Sequence, residues 1–143
     1  MEAEGSGTLY VAEQGKKVQI LSLDAGESIS VNGTDVLAFE DAISYEISTA
    51  SGLSQAAAGG LTNVFLTGPG TVAVTTHGDP AVMTPPVTTD PDATVAWSAD
   101  LSPSIETNKT IEIGQTSGEQ LQMRFTGSEG FVVVHPYEEG GQR

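Results

Sequence analysis

Apolar and polar residues alternate with a period of two along most of this chain, the signature of strands that bury one face. The alternation predicts strands at Thr8 to Ala12, Val18 to Leu23, Ser28 to Val31, Val36 to Phe39 and Ile43 to Ile47. In the last of these, Ile43, Tyr45 and Ile47 form a face to be buried, opposite Ser44 and Glu46. A second series reads Leu61 to Leu66, Thr71 to Thr75, Ala81 to Met83, Thr94 to Ser98 and Ile111 to Ile113, and Gln120 to Phe125 and Phe131 to Val134 follow it. Pro85, Pro86 and Pro91 cannot donate to a ladder, so Thr84 to Pro91 is expected in a loop or on a sheet edge. Between Ser48 and Gly60 the chain turns Ala, Ser and Gly rich; Leu53 to Ala58 suffices for one helical turn, which Gly59 and Gly60 would end. With about twelve strands and no long amphipathic helix, the expected fold is all-β, two antiparallel sheets packed face to face as a sandwich.

The strand series repeats. Gly7, Val11 and Gly15 recur as Gly70, Val74 and Gly78 (70 − 7 = 63), and Val36 to Phe39 recurs as Thr94 to Trp97 (97 − 39 = 58). A third copy begins with Thr126-Gly127 matching Thr67-Gly68, then Phe131 and Val133 matching Val72 and Val74 (131 − 72 = 59). The period of about 60 residues divides a single domain, 1–143, into repeat one over about 5–47, repeat two over about 61–113 and a partial third over about 120–137.

A chain of 143 residues buries on the order of 68–70% of its unfolded surface, enough for a core without staples. The absence of cysteine excludes disulfides, thiolate zinc sites and thiol catalysis. Charge changes the picture more. Nineteen acidic residues against five basic ones give a formal charge of −14, spread along the whole chain. Such an excess destabilises a compact domain by self-repulsion, and molar salt relieves it because the Debye length falls to about 3 Å. The composition is that of a halophile's cytoplasmic protein. Met1 to Glu4 is acidic where a signal peptide would be basic, and the apolar runs are too short to span a bilayer as helices. The expectation is an unexported protein with no transmembrane segment.

Candidate chemistry is sparse. His77 and His135 are the only histidines, and neither belongs to the His-x-His pair a cupin metal site requires. Asp90-Pro91-Asp92 lacks the spacing, glycine and terminal glutamate of an EF-hand loop and reads as a solvated turn. Ser98, Ser102 and Ser104 lie in no Gly-x-Ser-x-Gly elbow. The turn from Phe65 to Thr71 has the glycines of a phosphate loop without its lysine or helix. Trp97, aligned with Phe39, is a core aromatic. No catalytic residue, metal or cofactor is expected.

Three spaced segments nevertheless carry a resemblance: Gly118 to Val134, Phe65 to Val72 and Asp35 to Glu40. Together, in this order, they resemble the AIM24 family, and the match extends from Gly5 to Glu139. The resemblance implies a TRAP-like β-sandwich, related to the tryptophan RNA-binding attenuation protein and akin to double-stranded β-helix folds. The chain is shorter than typical members and matches their later two thirds; its acidity marks it as a haloarchaeal one. Mitochondrial members are linked to inner-membrane organisation and the assembly of membrane complexes, and no catalytic residues are carried over from the family. Gly68, Gly70 and Gly127 match its turn motif, with a geometric role. Glu129 stands where the motif has glycine, which shifts any positive φ to Gly130.

RNA binding does not follow from the fold. Phosphate neutralisation needs clustered lysine and arginine, and this chain sets Lys16-Lys17 and three scattered cations against nineteen acids. No nucleic-acid partner is expected. Two readings remain. The first is a non-catalytic scaffold that forms homo-oligomers and engages a protein partner or membrane-associated complex, with Val132 and Val134 as the outward, interface pair of the last strand. The second is a small-ligand-binding or cupin-like catalytic β domain. A pocket lined by His77, His135, Tyr137 and Glu138 would favour the second reading, and a flat apolar patch the first.

Overall fold

The structure, a computed structural model, describes residues 1–49, 62–109 and 119–136. They contain twelve strands: β1 (Lys17–Leu23), β2 (Ser28–Asn32), β3 (Val36–Phe39), β4 (Ser44–Thr49), β5 (Thr62–Thr67), β6 (Gly70–Thr76), β7 (Ala81–Met83), β8 (Val87–Thr89), β9 (Thr94–Ser98), β10 (Ser104–Lys109), β11 (Glu119–Phe125) and β12 (Val132–Val134). Every pairing is antiparallel. The strands form a six-stranded sheet, β4-β5-β2-β9-β12-β7, and two three-stranded sheets, β1-β6-β3 and β10-β11-β8. Short 3-10 turns at Gly33–Asp35 and Pro91–Ala93 lead into β3 and β9, capped by the Asn32 and Asp90 side chains. These capping oxygens accept from amides that no ladder satisfies.

Alternation builds two apolar cores. In one, Leu23 and Val72 from the β1-β6-β3 sheet meet Ile29, Val31, Leu66 and Ala96 from the six-stranded sheet. In the other, Trp97 and Val132 meet Met123 and Phe125 of the β10-β11-β8 sheet. The Trp97 and Phe125 rings pack edge to face at 5.5 Å. Each fully buried side chain of this size contributes about 1.5–3 kcal/mol. The six-stranded sheet is therefore covered on both faces along β9 and β12. Phe131 and Val133 pack against the first core while Val132 lies in the second, with Val134 packed beside it. This corrects the outward placement of Val132 and Val134: the β10-β11-β8 sheet of the same chain covers their face.

Other expectations change for identifiable reasons. Thr8 to Ala12 is not a strand, and Leu9, Tyr10 and Val11 are exposed; alternation reports a capacity to pair, not a partner. Ile43 is in the core, yet Tyr45 and Ile47 are exposed: they stand opposite Leu66 and Val64 on the core-side face, but β4 is the edge strand, where that face is left largely uncovered. β8 runs inside the proline-rich segment as an edge strand, the place proline rules allow. β10 carries only Ile105 as an apolar residue, so period two leaves no trace there. Leu53 to Ala58 and Ile111 to Ile113 lie outside the described residues.

Candidate functional site

The polar residues that converge come from four distant parts of the sequence, the end of β6 with Thr75 and His77 among them. The turn from Glu13 to Lys16, closed by the Lys16 amide donating to the Glu13 carbonyl at 3.2 Å, swings the Lys16 side chain inward. The 3-10 turn ahead of β3 presents Asp35, and the residue after β12 is His135. Lys16 Nζ lies 3.4 Å from Asp35 Oδ1 and 3.2 Å from Glu13 Oε1. The lysine and aspartate side chains are only 5% and 1% exposed, so the pair is interior. Thr75 Oγ1 sits within reach of both Glu13 Oε2, at 3.2 Å, and the Asp35 carbonyl, at 3.4 Å.

His135 completes the cluster. Its Nδ1 accepts the His77 backbone N–H at 2.9 Å, which leaves the ring proton on Nε2. That nitrogen is 3.6 Å from Asp35 Oδ1, and the His77 ring stands edge-on to the His135 ring at 5.1 Å. The His135 amide donates to the Ala93 carbonyl at 2.8 Å, so the backbone is anchored as well.

This arrangement limits the chemistry. A general base must turn a free lone pair to its substrate, and the basic nitrogen of His135 is already engaged by a backbone amide. The Asp35 carboxylate faces Lys16 and His135 at almost no exposure. The cluster ties the N-terminal turn, the 3-10 turn and the end of β12 together. His77 and His135, which the sequence groups as possible pocket lining, do meet, but in a buried cluster whose other members, Lys16 and Asp35, carry no sequence signal as partners. Tyr137 and Glu138 lie outside the described residues. Among the described residues, no group of three or more histidine, aspartate or glutamate side chains is placed to hold a metal ion.

The turn glycines have separate geometric demands. A Cβ on Gly68 would collide with the Asp24 carbonyl oxygen and stand 2.7 Å from that of Leu23, where the β5–β6 turn crosses the β1–β2 turn. Gly70 combines φ +147° with a Cβ position 2.9 Å from Ile43 Cγ1. Gly127 and Gly130 have φ +110° and +93°. The Asp90 carboxylate accepts the Asp92 amide at 2.8 Å as a helix cap. Lys17 and Arg124 are each paired with a carboxylate, Asp79 and Glu106. No helix among the described residues is long and apolar enough to cross a membrane.

Comparison with known proteins adds a family and a fold. A family model described as mitochondrial biogenesis AIM24 matches residues 1–137. Among curated proteins, none matches. Among solved structures, protein SPYM3_0169 from Streptococcus pyogenes is similar in fold, with a TM-score of 0.61 at 19% identity. The likeness covers 85% of this chain and 55% of that one, so the chain spans just over half the length of its structural neighbour.

Proposed function

This chain belongs to the AIM24 family, and from that premise we propose that it is a non-catalytic scaffold of a salt-rich cytoplasm, one that self-associates and engages a protein partner or membrane-associated complex. The observation that carries the reading is the division of its surface chemistry. Convergent ionisable side chains, Lys16, Asp35 and His135, are spent on one another in the interior. Large apolar side chains are exposed on edge strands: Tyr45 and Ile47 on β4, Val82 and Met83 on β7, Val18 and Ile20 on β1. Exposed edges with apolar faces are sites of association unless they are covered or charged. Light scattering in molar KCl tests the reading, because that salt screens the −14 charge that would otherwise keep copies apart. Assemblies larger than one chain are expected at micromolar concentration. A strictly monomeric folded protein refutes the scaffold and leaves a small-ligand-binding β domain as the better account.

A further inference from the structure

The ladder between β2 and β9 joins two halves, β4-β5-β2 and β9-β12-β7, into one six-stranded sheet. Each half has a counterpart that stands alone. The sheet β10-β11-β8 has the order of β4-β5-β2, and β1-β6-β3 has that of β7-β12-β9. Registers agree as well as orders. Ile29 lies opposite Leu66 as Val87 lies opposite Phe125, and Phe39 opposite Val72 as Trp97 lies opposite Val132, so the ladder makes Val132, and not Phe131, the counterpart of Val72. In both β3 and β9 the ladder then skips one residue, Leu37 or Val95 (95 − 37 = 58). The capped 3-10 turns before these strands keep the same spacing, Asn32 to Asp90 (90 − 32 = 58).

The equivalence leaves two edges open. Among the described residues β3 pairs only with β6, and β8 only with β11. They are the counterparts of β9 and β2, the strands that meet in the middle of the large sheet. Burial follows the difference. All five residues of β9 are buried, whereas all four of β3 are half-buried. Ser30 of β2 is buried, and its counterpart on β8, Thr88, is exposed.

We infer that β8 of one copy of this chain pairs antiparallel with β3 of a second copy, reproducing between chains the β2–β9 junction within one. The register follows from the internal pairs. Ile29, Ser30 and Val31 face Ser98, Trp97 and Ala96, so Val87, Thr88 and Thr89 face Glu40, Phe39 and Ala38 of the neighbour. The occupant is a second copy because both complementary edges lie on the same chain. The contact is head to tail, giving rings where the rotation closes and filaments where it does not. It also accounts for the unpaired Leu9 to Val11. By the same equivalence that segment belongs between β7 and β9 of the neighbouring copy, and β12 of that copy already fills the place.

The inference rests on the scaffold reading and adds its geometry, and the test separates the two. Ala38→Cys and Thr89→Cys are made as separate variants, free of background because the chain has no cysteine. Oxidised in molar KCl, the mixture should form a disulfide-linked pair, because directly opposed Cβ atoms in an antiparallel ladder lie about 4.5–5.5 Å apart. Each variant alone should stay uncrosslinked. Thr88→Lys, at an exposed position, should keep the wild-type unfolding midpoint at concentrations where both are monomeric, and should lose association at concentrations where the wild type is assembled. A wild type that associates while Thr88→Lys associates equally, with no link between positions 38 and 89, overturns the junction and leaves the scaffold standing. Homodimers linked 38 to 38 or 89 to 89 overturn the head-to-tail arrangement. A monomeric wild type overturns both readings.

Discussion

Lys16 and Lys17 are adjacent and each is paired with an aspartate, yet their replacement by methionine should have unequal effects. The Lys17–Asp79 contact is the shorter, 2.7 Å, but its side chains are 56% and 86% exposed. A pair in that setting is worth about 0–1 kcal/mol. Lys16 Nζ lies 3.4 Å from Asp35 with both side chains nearly inaccessible. At an effective dielectric of about 20, charges at that separation interact by about 5 kcal/mol. Removing Lys16 leaves the Asp35 carboxylate buried with only the His135 Nε2 nitrogen, 3.6 Å from Oδ1, beside it, and Oδ2 has no hydrogen bond to fall back on. The expected loss for Lys16→Met is about 3–5 kcal/mol, against a total stability of about 5–15 kcal/mol. At about 2–4 °C per kcal/mol for a chain of this size, the melting midpoint should fall by roughly 6–20 °C. Urea unfolding in molar KCl, followed by the fluorescence of the single tryptophan, Trp97, measures both variants in the same background. Salt should leave the Lys16 effect largely intact, because a buried pair is poorly screened. The double variant Lys16→Met, Asp35→Leu should recover much of the loss, since two apolar groups carry no desolvation penalty. Equal losses for Lys16→Met and Lys17→Met, within about 0.5 kcal/mol, would refute the argument that burial and not distance sets the strength of these pairs.

Three further outcomes are expected. Gly68→Ala should destabilise by about 1–3 kcal/mol, because its Cβ meets backbone oxygens of the β1–β2 turn that cannot move aside; thermal melts within 0.5 °C of wild type would contradict the close approach. Val132→Glu should unfold the protein and not merely dissociate it, as Val132 is fully buried beside Trp97 and Phe125 and the carboxylate would find no partner; a folded monomer, judged by circular dichroism and light scattering, would restore Val132 to an interface. The melting midpoint of the wild type should climb from dilute buffer to molar KCl as repulsion among nineteen acidic side chains is screened. A flat profile across that range would remove the basis for a halophilic reading.

The strands were legible in the sequence wherever one face is buried against a sheet, because period-two alternation is the direct imprint of that burial. β1, β2, β5 and β6 follow it closely, whereas β9, buried on both faces, reads as the continuous apolar run Val95-Ala96-Trp97. β10 escaped because one isoleucine in six residues leaves no periodic signal, and β8 because prolines flank it. The family, and with it the sandwich, could be read from three spaced motifs. Which partner each strand takes could not. Thr8 to Ala12 and Thr71 to Thr75 alternate alike, yet the second lies between β1 and β3 while the first has no ladder. Val132 looked outward by alternation, and a third sheet packed against its face decided otherwise. The buried cluster was equally hidden: Lys16, Asp35 and His135 are each polar residues beside turns, where a solvated side chain is the ordinary expectation. Local alternation encodes the strands because each residue's face is set by its own backbone. Pairing and burial depend on which distant segments arrive beside them, and that is decided only when the three sheets close.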